Sequence, residues 1–217
     1  MSGDIDFAGR VGFTGVTGDG VYITNRFDKF GGLVNTNLQG MYTEQTVRGL
    51  KFSATNLTPG VDHGATFTTT PPLALWNPTG SGKGLAVIRI GMYYCTGTLG
   101  SGLVGVGIQT AQPSAPTTGT VITPICMNNV DAPGVGKAYT GSTITAAATL
   151  IRGLFNVAPV LASSAVSMPA ATECVLDGSL VVPPGAVLAV QGYVGAMTGT
   201  TPKVMFYIEW DEVPLKG

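Results

Sequence analysis

Charge is what this sequence has least of. Its 217 residues include 11 Lys and Arg and 12 Asp and Glu, for a net charge of −1. A soluble domain usually devotes about a quarter of its residues to charge. Between Ile90 and Pro202 the charged residues are Asp131, Lys137, Arg152, Glu173 and Asp177 alone. A surface this weakly ionic favours association, and the absence of a basic stripe argues against direct nucleic-acid binding. Histidine occurs once, at His63. The three cysteines, Cys95, Cys126 and Cys174, form no CxxC or Cys/His cluster, which argues against structural zinc. Cys95 and Cys174 sit in apolar runs, where a buried reduced thiol is expected. Apolar runs long enough for a membrane-spanning helix are also missing. The opening MSGDIDFAGR lacks the order of a signal peptide, so synthesis in a cytoplasm is expected.

What the chain does have is glycine, 32 residues of it, and 14 prolines scattered between apolar runs without a collagen-like period. Residues 1–50 carry nine of the 23 charges and only short apolar pieces such as Val21-Tyr22-Ile23. They are expected to form an extended arm with tight turns, or a small hairpin, ordered by a neighbour and followed by a β domain over 51–217. From Leu50 on, strand follows strand. Leu73 and Leu75 alternate with Ala74 and Trp76, and Ile88, Ile90, Met92 and Tyr94 share one face opposite Arg89, Tyr93 and Cys95. Gly102–Thr110 and Gly119–Cys126 are strand-like, and so are the runs on either side of Pro183-Pro184-Gly185. Thr143–Val157 suits a helical turn at Ala146–Ala148 or a strand over Thr149–Phe155, and strand is preferred. In the last run Val204, Phe206, Ile208 and Trp210 alternate with Met205, Tyr207, Glu209 and Asp211. Roughly eight strands with Gly/Pro/Thr-rich connections predict an all-β fold, an antiparallel β-sandwich or jelly roll with an extended N-terminal arm.

Several stretches invite a chemical reading. GSGK at 80–83 suggests a phosphate loop, but Asn77 stands where the first glycine belongs and Gly84 where the magnesium-binding hydroxyl belongs. The β-branched run that follows replaces the required helix. Asp62-His63 suggests a dyad, but neighbours on an extended chain point opposite ways and no GxSxG elbow exists, so a solvated loop histidine is expected. Glu209, Asp211 and Glu212 suggest a carboxylate pair or calcium site, but lack the oxygen-rich loop that calcium needs; a solvated outer face is expected. Arg89 and Arg152, each inside an apolar run, are expected to need a carboxylate or backbone carbonyl partner, in an internal ion pair or a subunit contact rather than an active site. Tyr93, Tyr94, Tyr193 and Tyr207 could stack a sugar or pack in a core or interface. No set of residues supplies nucleophile, base and oxyanion donors together. The sequence therefore predicts no catalytic, cofactor-binding or metal-ligating residues and no cofactor.

LWNPTGSGKGLAVIRI, GTLGSG, LVVPPGAVLAVQGYV and FYIEWDEVPL together resemble tailed-bacteriophage virion proteins. They are similar to jelly-roll capsid decoration (cement) proteins, which commonly form trimers. The likeness covers residues 70–110 and 172–215. It implies a homotrimer bound to the major capsid protein of the same particle, located on the virion surface, with no membrane and no catalysis. NPTGSGKG would then be a tight connection whose glycines need positive φ, and Lys83 a solvated turn residue or a contact to a neighbouring subunit. The alternative is a surface or tail component that binds a host receptor or glycan through loop tips and tyrosines.

Overall fold

The computed structural model describes residues 42–56, 59–97, 102–128, 134–157, 171–193 and 203–215. The expected arm, Val21-Tyr22-Ile23 included, lies outside the described residues up to 41. The described residues from 44 onward belong to one compact unit. It opens with one short helix, α1 (Thr43–Val47), in a stretch expected to be extended. Gly49, at φ +69°, ends that helix: its N–H bonds to Thr46 O at 3.0 Å, and the N–H of Leu50 bonds to Gln45 O at 3.0 Å. These two bonds form a Schellman motif, which turns the chain directly into the first strand.

Eleven strands follow among the described residues: β1 (Lys51–Thr55), β2 (Leu73–Asn77), β3 (Lys83–Thr96), β4 (Gly102–Gln109), β5 (Thr120–Ile122), β6 (Ile125–Cys126), β7 (Lys137–Thr140), β8 (Thr149–Val157), β9 (Ala171–Val182), β10 (Ala186–Tyr193) and β11 (Lys203–Pro214). They form a five-stranded sheet in the order β6-β1-β11-β3-β9 and a six-stranded sheet in the order β5-β7-β2-β10-β4-β8. Every pairing is antiparallel. The pairs β1/β11, β2/β10, β3/β9 and β4/β8 are nested: the chain doubles back on itself like one long hairpin, rolled into two sheets. That nesting is the jelly-roll topology. The remaining three strands, β5, β6 and β7, all lie between β4 and β8 and extend the sheets on one flank.

The alternation read from the sequence explains where the core lies. Val204, Phe206, Ile208 and Trp210 on β11 are fully buried and meet Leu73, Leu75, Val104, Val106, Leu188 and Val190 from the opposite sheet. On β2 both faces are buried, because Ala74 and Trp76 join Tyr139, Ile144 and Val187 in a second cluster behind the six-stranded sheet. On β3 the single-face reading needs a correction. The inward residues are Leu85, Val87, Ile90 and Met92, so the parity switches at Ile88. A bulge there skips Ile88 in the register with both neighbours, pairing Val87 with Trp210 and Arg89 with Glu209. Tyr94, expected on the same face as Ile90 and Met92, is exposed.

Gly119–Cys126 is also two strands rather than one. Pro124 has no N–H to give a ladder, so β5 ends in one sheet and β6 begins in the other. Thr149–Val157 is strand, and the Ala146–Ala148 segment before it is not helical. Both glycine-marked connections cross from sheet to sheet. Pro184 and Gly185 (φ +76°) make a type II turn closed by Ala186 N–H to Pro183 O at 3.2 Å. In NPTGSGKG, Gly80 and Gly82 take φ +77° and +67°, as expected, but the segment joins β2 to β3 across the sandwich. Asn77, fully buried, stitches the two crossings together: its Nδ2 donates to Lys83 O at 2.7 Å and Val182 O at 2.9 Å.

Candidate functional site

The outward-facing residues of β11 organise the charged face of the molecule. Glu209 lies opposite Arg89 on β3, and its Oε2 is 3.2 Å from Arg89 Nε and 3.1 Å from Lys51 Nζ. Arg89 Nη1 donates to Glu173 Oε1 on β9 at 3.1 Å. The Tyr207 hydroxyl donates to the other oxygen of Glu173. Tyr207 lies flat over Gly91, where a methyl group would overlap its ring, and stacks on Tyr93 with centroids 5.4 Å apart. Burial, and then the bond to Glu173, push the Tyr207 phenol well above the usual tyrosine range. Arg89 thus has the internal carboxylate partners expected of it. Arg152, by contrast, is exposed on the edge strand β8, with no ion pair among the described residues.

Three residues beyond Glu209, β11 carries a carboxylate on its inward face. Glu212, 1 % exposed, pairs through Oε2 with Lys83 Nζ at 2.8 Å and accepts the Gly136 N–H on Oε1 at 2.9 Å. Gly134 leaves room for it, since a methyl group there would overlap Oε1. Two expectations are corrected together. Lys83 is not simply a solvated turn residue, because its ammonium neutralises the buried Glu212 carboxylate. The acidic trio is not a solvated face either, since Asp211 and Glu212 are both buried. Glu212 continues the inward parity of Val204 through Trp210, and that signal could have revealed it in the sequence.

Asp211 borders a cleft of about 300 Å³, lined also by Gln45, Arg48, Leu50, Glu212, Val213 and Pro214. Burial drives the Asp211 carboxyl above the ordinary aspartate value, Lys51 pulls it down, and Glu209 raises it further. A carboxyl that holds its proton more tightly folded than unfolded adds stability at low pH, and loses that contribution as pH rises through the raised folded value. Asp211→Asn is therefore expected to unfold at a higher denaturant midpoint than the parent at pH 7, with the gap narrowing toward pH 3.5. A gap that widens on acidification would contradict the assignment.

His63 is not a solvated loop residue. It is 1 % exposed, its Nδ1 donates to Gly64 O at 2.5 Å, and its carbonyl accepts the Gly192 N–H at 2.6 Å. Asp62 is exposed and spends Oδ1 on the Gly64 N–H at 2.9 Å, so the two side chains form no dyad. The segment around them is planted on the six-stranded sheet: Gln191 Nε2 donates to Thr66 O at 3.0 Å, and Phe67 lies over Gly107, where a methyl group would fall 2.7 Å from its ring. Phe67 also packs on Tyr193, centroids 5.7 Å apart. The four tyrosines therefore form no single platform, since Tyr93, Tyr94 and Tyr207 belong to one sheet and Tyr193 to the other. All three cysteines are free; Cys126 is buried, whereas Cys95 and Cys174, expected inside, are half-buried.

No protein-family model matches the chain, and no curated protein matches it. One solved structure to which it is similar is described as "KBV activated particle at acidic pH". The match covers 99 % of this chain and 92 % of that one, at 12 % identity and a TM-score of 0.24.

Proposed function

We propose that the chain is a virion structural protein: a jelly-roll subunit that associates with copies of itself as a homotrimer and decorates the major capsid shell of its particle. The observation that carries this reading is the pair of apolar flanks on the sandwich. On one flank β5 and β6 close the two sheets, and Val121, Ile125 and Met127 are 61 %, 60 % and 41 % exposed. On the opposite flank, at the outermost strands β8 and β9, Ile151 and Val175 are 47 % and 53 % exposed. Two different apolar surfaces on opposite sides of one molecule suit a head-to-tail contact, which closes into a ring when the rotation permits. Such a contact also covers the open strand edges that an antiparallel sandwich must protect. Repeating it over a shell adds avidity without any single tight site.

Mass photometry of the purified chain is expected to give three times the monomer mass. Ile125→Glu and Ile151→Glu, on opposite flanks, should each shift the population to monomer. A parent protein that stays monomeric at micromolar concentration would sink the oligomer. Particles stripped of the protein should open at lower temperature, and unchanged opening would sink the stabilising role. A second reading, a surface component that binds a receptor or glycan, is favoured by Tyr93 and Tyr94, 43 % and 40 % exposed at the same end of β3. Copy number separates the two: hundreds per particle for decoration, a dozen or fewer for a tail component.

A further inference from the structure

The cleft between α1 and the end of β11 is lined by residues whose buried acceptors have no hydrogen-bond partner among the described residues. Asp211, 7 % exposed, presents an Oδ1 that receives no hydrogen bond. Gln45, one helical turn before Gly49, presents a buried Oε1 in the same condition. Both residues line the cleft. Lys51 draws on the Asp211 carboxyl, but its ammonium is shared with Glu209. Glu212 belongs to Lys83 and Gly136, and Glu209 to Lys51 and Arg89. Arg48, at the cleft wall, has an interaction of its own. Leaving a buried acceptor unmade costs about 1–3 kcal/mol, more when it is charged. A chain with few charges has nevertheless put a carboxylate where burial penalises it.

Two orphan acceptors on different elements ask for a ligand that carries several N–H donors and a positive charge. A guanidinium presents five donors in one rigid plane, whereas an ammonium is a compact point charge with a stronger hold on water. The rim adds apolar surface for the stem of such a side chain, since Val213 lines the cleft at 45 % exposure and Leu215 beyond it is 46 % exposed. We propose that this cleft binds the guanidinium group of an arginine side chain from a neighbouring protein chain. The source of that arginine rests on the assembly proposed above; the chemistry of the cleft does not.

The test uses the full chain, isotope-labelled, with N-ethylguanidinium chloride as the probe and n-butylammonium chloride as its comparison. The Asp211 carboxyl carbon and the Gln45 side-chain amide are followed by NMR. Saturable shifts at both groups are expected, together with a fall in the Asp211 pKa as the probe loads, because the cation favours the carboxylate over the acid. Asp211→Asn should weaken binding about tenfold or more, the loss of one charge-assisted hydrogen bond. Gln45→Met, on the helix surface, should weaken it by a smaller factor and keeps the test open if the first variant folds poorly. Equal binding by the parent and both variants, an Asp211 pKa unmoved by the probe, or tighter binding of n-butylammonium would each overturn the proposal. The oligomer measurements on Ile125→Glu and Ile151→Glu are separate, so the cleft can fail while the assembly stands, and the reverse.

Discussion

Lys83→Met is expected to destabilise the protein by about 3 kcal/mol or more, because among the described residues it leaves the interior Glu212 carboxylate with the Gly136 N–H alone. The cost comes chiefly from an uncompensated buried charge. The lysine's own contacts contribute less, since its side chain is 33 % exposed while that of Glu212 is fully enclosed. The double variant Lys83→Met with Glu212→Leu should therefore recover most of the loss, since replacing a buried pair with apolar groups of similar volume is often neutral or better. Urea titrations of the two single variants and the double variant measure the coupling directly. Near-additive losses, with no recovery in the double variant, would show that the pair is not the reason this connection holds its shape.

Gly192→Ala is expected to cost about 3 kcal/mol, at the upper end for overpacking, because the new methyl group would meet Gly64 O at 2.0 Å. The obstacle is backbone rather than the far end of a flexible side chain, so relief requires moving the 59–72 segment. That segment is anchored by the Gly192 N–H to His63 O bond, by Gln191 to Thr66 O, and by Phe67 over the glycines of β4. The variant should also be cut by protease within 59–72 sooner than the parent under native conditions. Phe67→Ala offers a comparison, since it loosens the same segment without a backbone clash and should cost less. A Gly192→Ala variant as stable and as resistant as the parent would mean that the segment does not depend on this close approach.

Much of the architecture is legible in local pattern. Alternation on β11 marks the inner face residue by residue. PPG and GSG mark turns because a ladder cannot run through proline and because Gly80, Gly82 and Gly185 adopt positive φ. In β4 the run Val104-Gly105-Val106-Gly107 puts valines in the core and glycines beneath Leu150 and Phe67, although nothing local names Phe67 as the cover. Arg89 in an apolar run correctly implies a carboxylate partner, yet it takes the register of three strands to identify Glu209 and Glu173.

The misreadings share one cause. His63 is polar in a polar stretch, yet it is buried where Gly192 of a distant strand bonds to its carbonyl. Lys83 and Glu212 are 129 residues apart. The face switch at Ile88 is invisible in β3 alone, because a bulge is a property of the pairing. The β character of the chain, its strands, its turns and its poverty of charge follow from the sequence, since period-two alternation and the backbone limits of glycine and proline act within a few residues. That Glu212 points inward follows from the parity of β11, but which cation pairs it, and that Asp211 is buried beside it at the wall of a cleft, was decided only by tertiary structure. The charge and desolvation terms that govern those outcomes depend on groups that folding brings together from far along the chain.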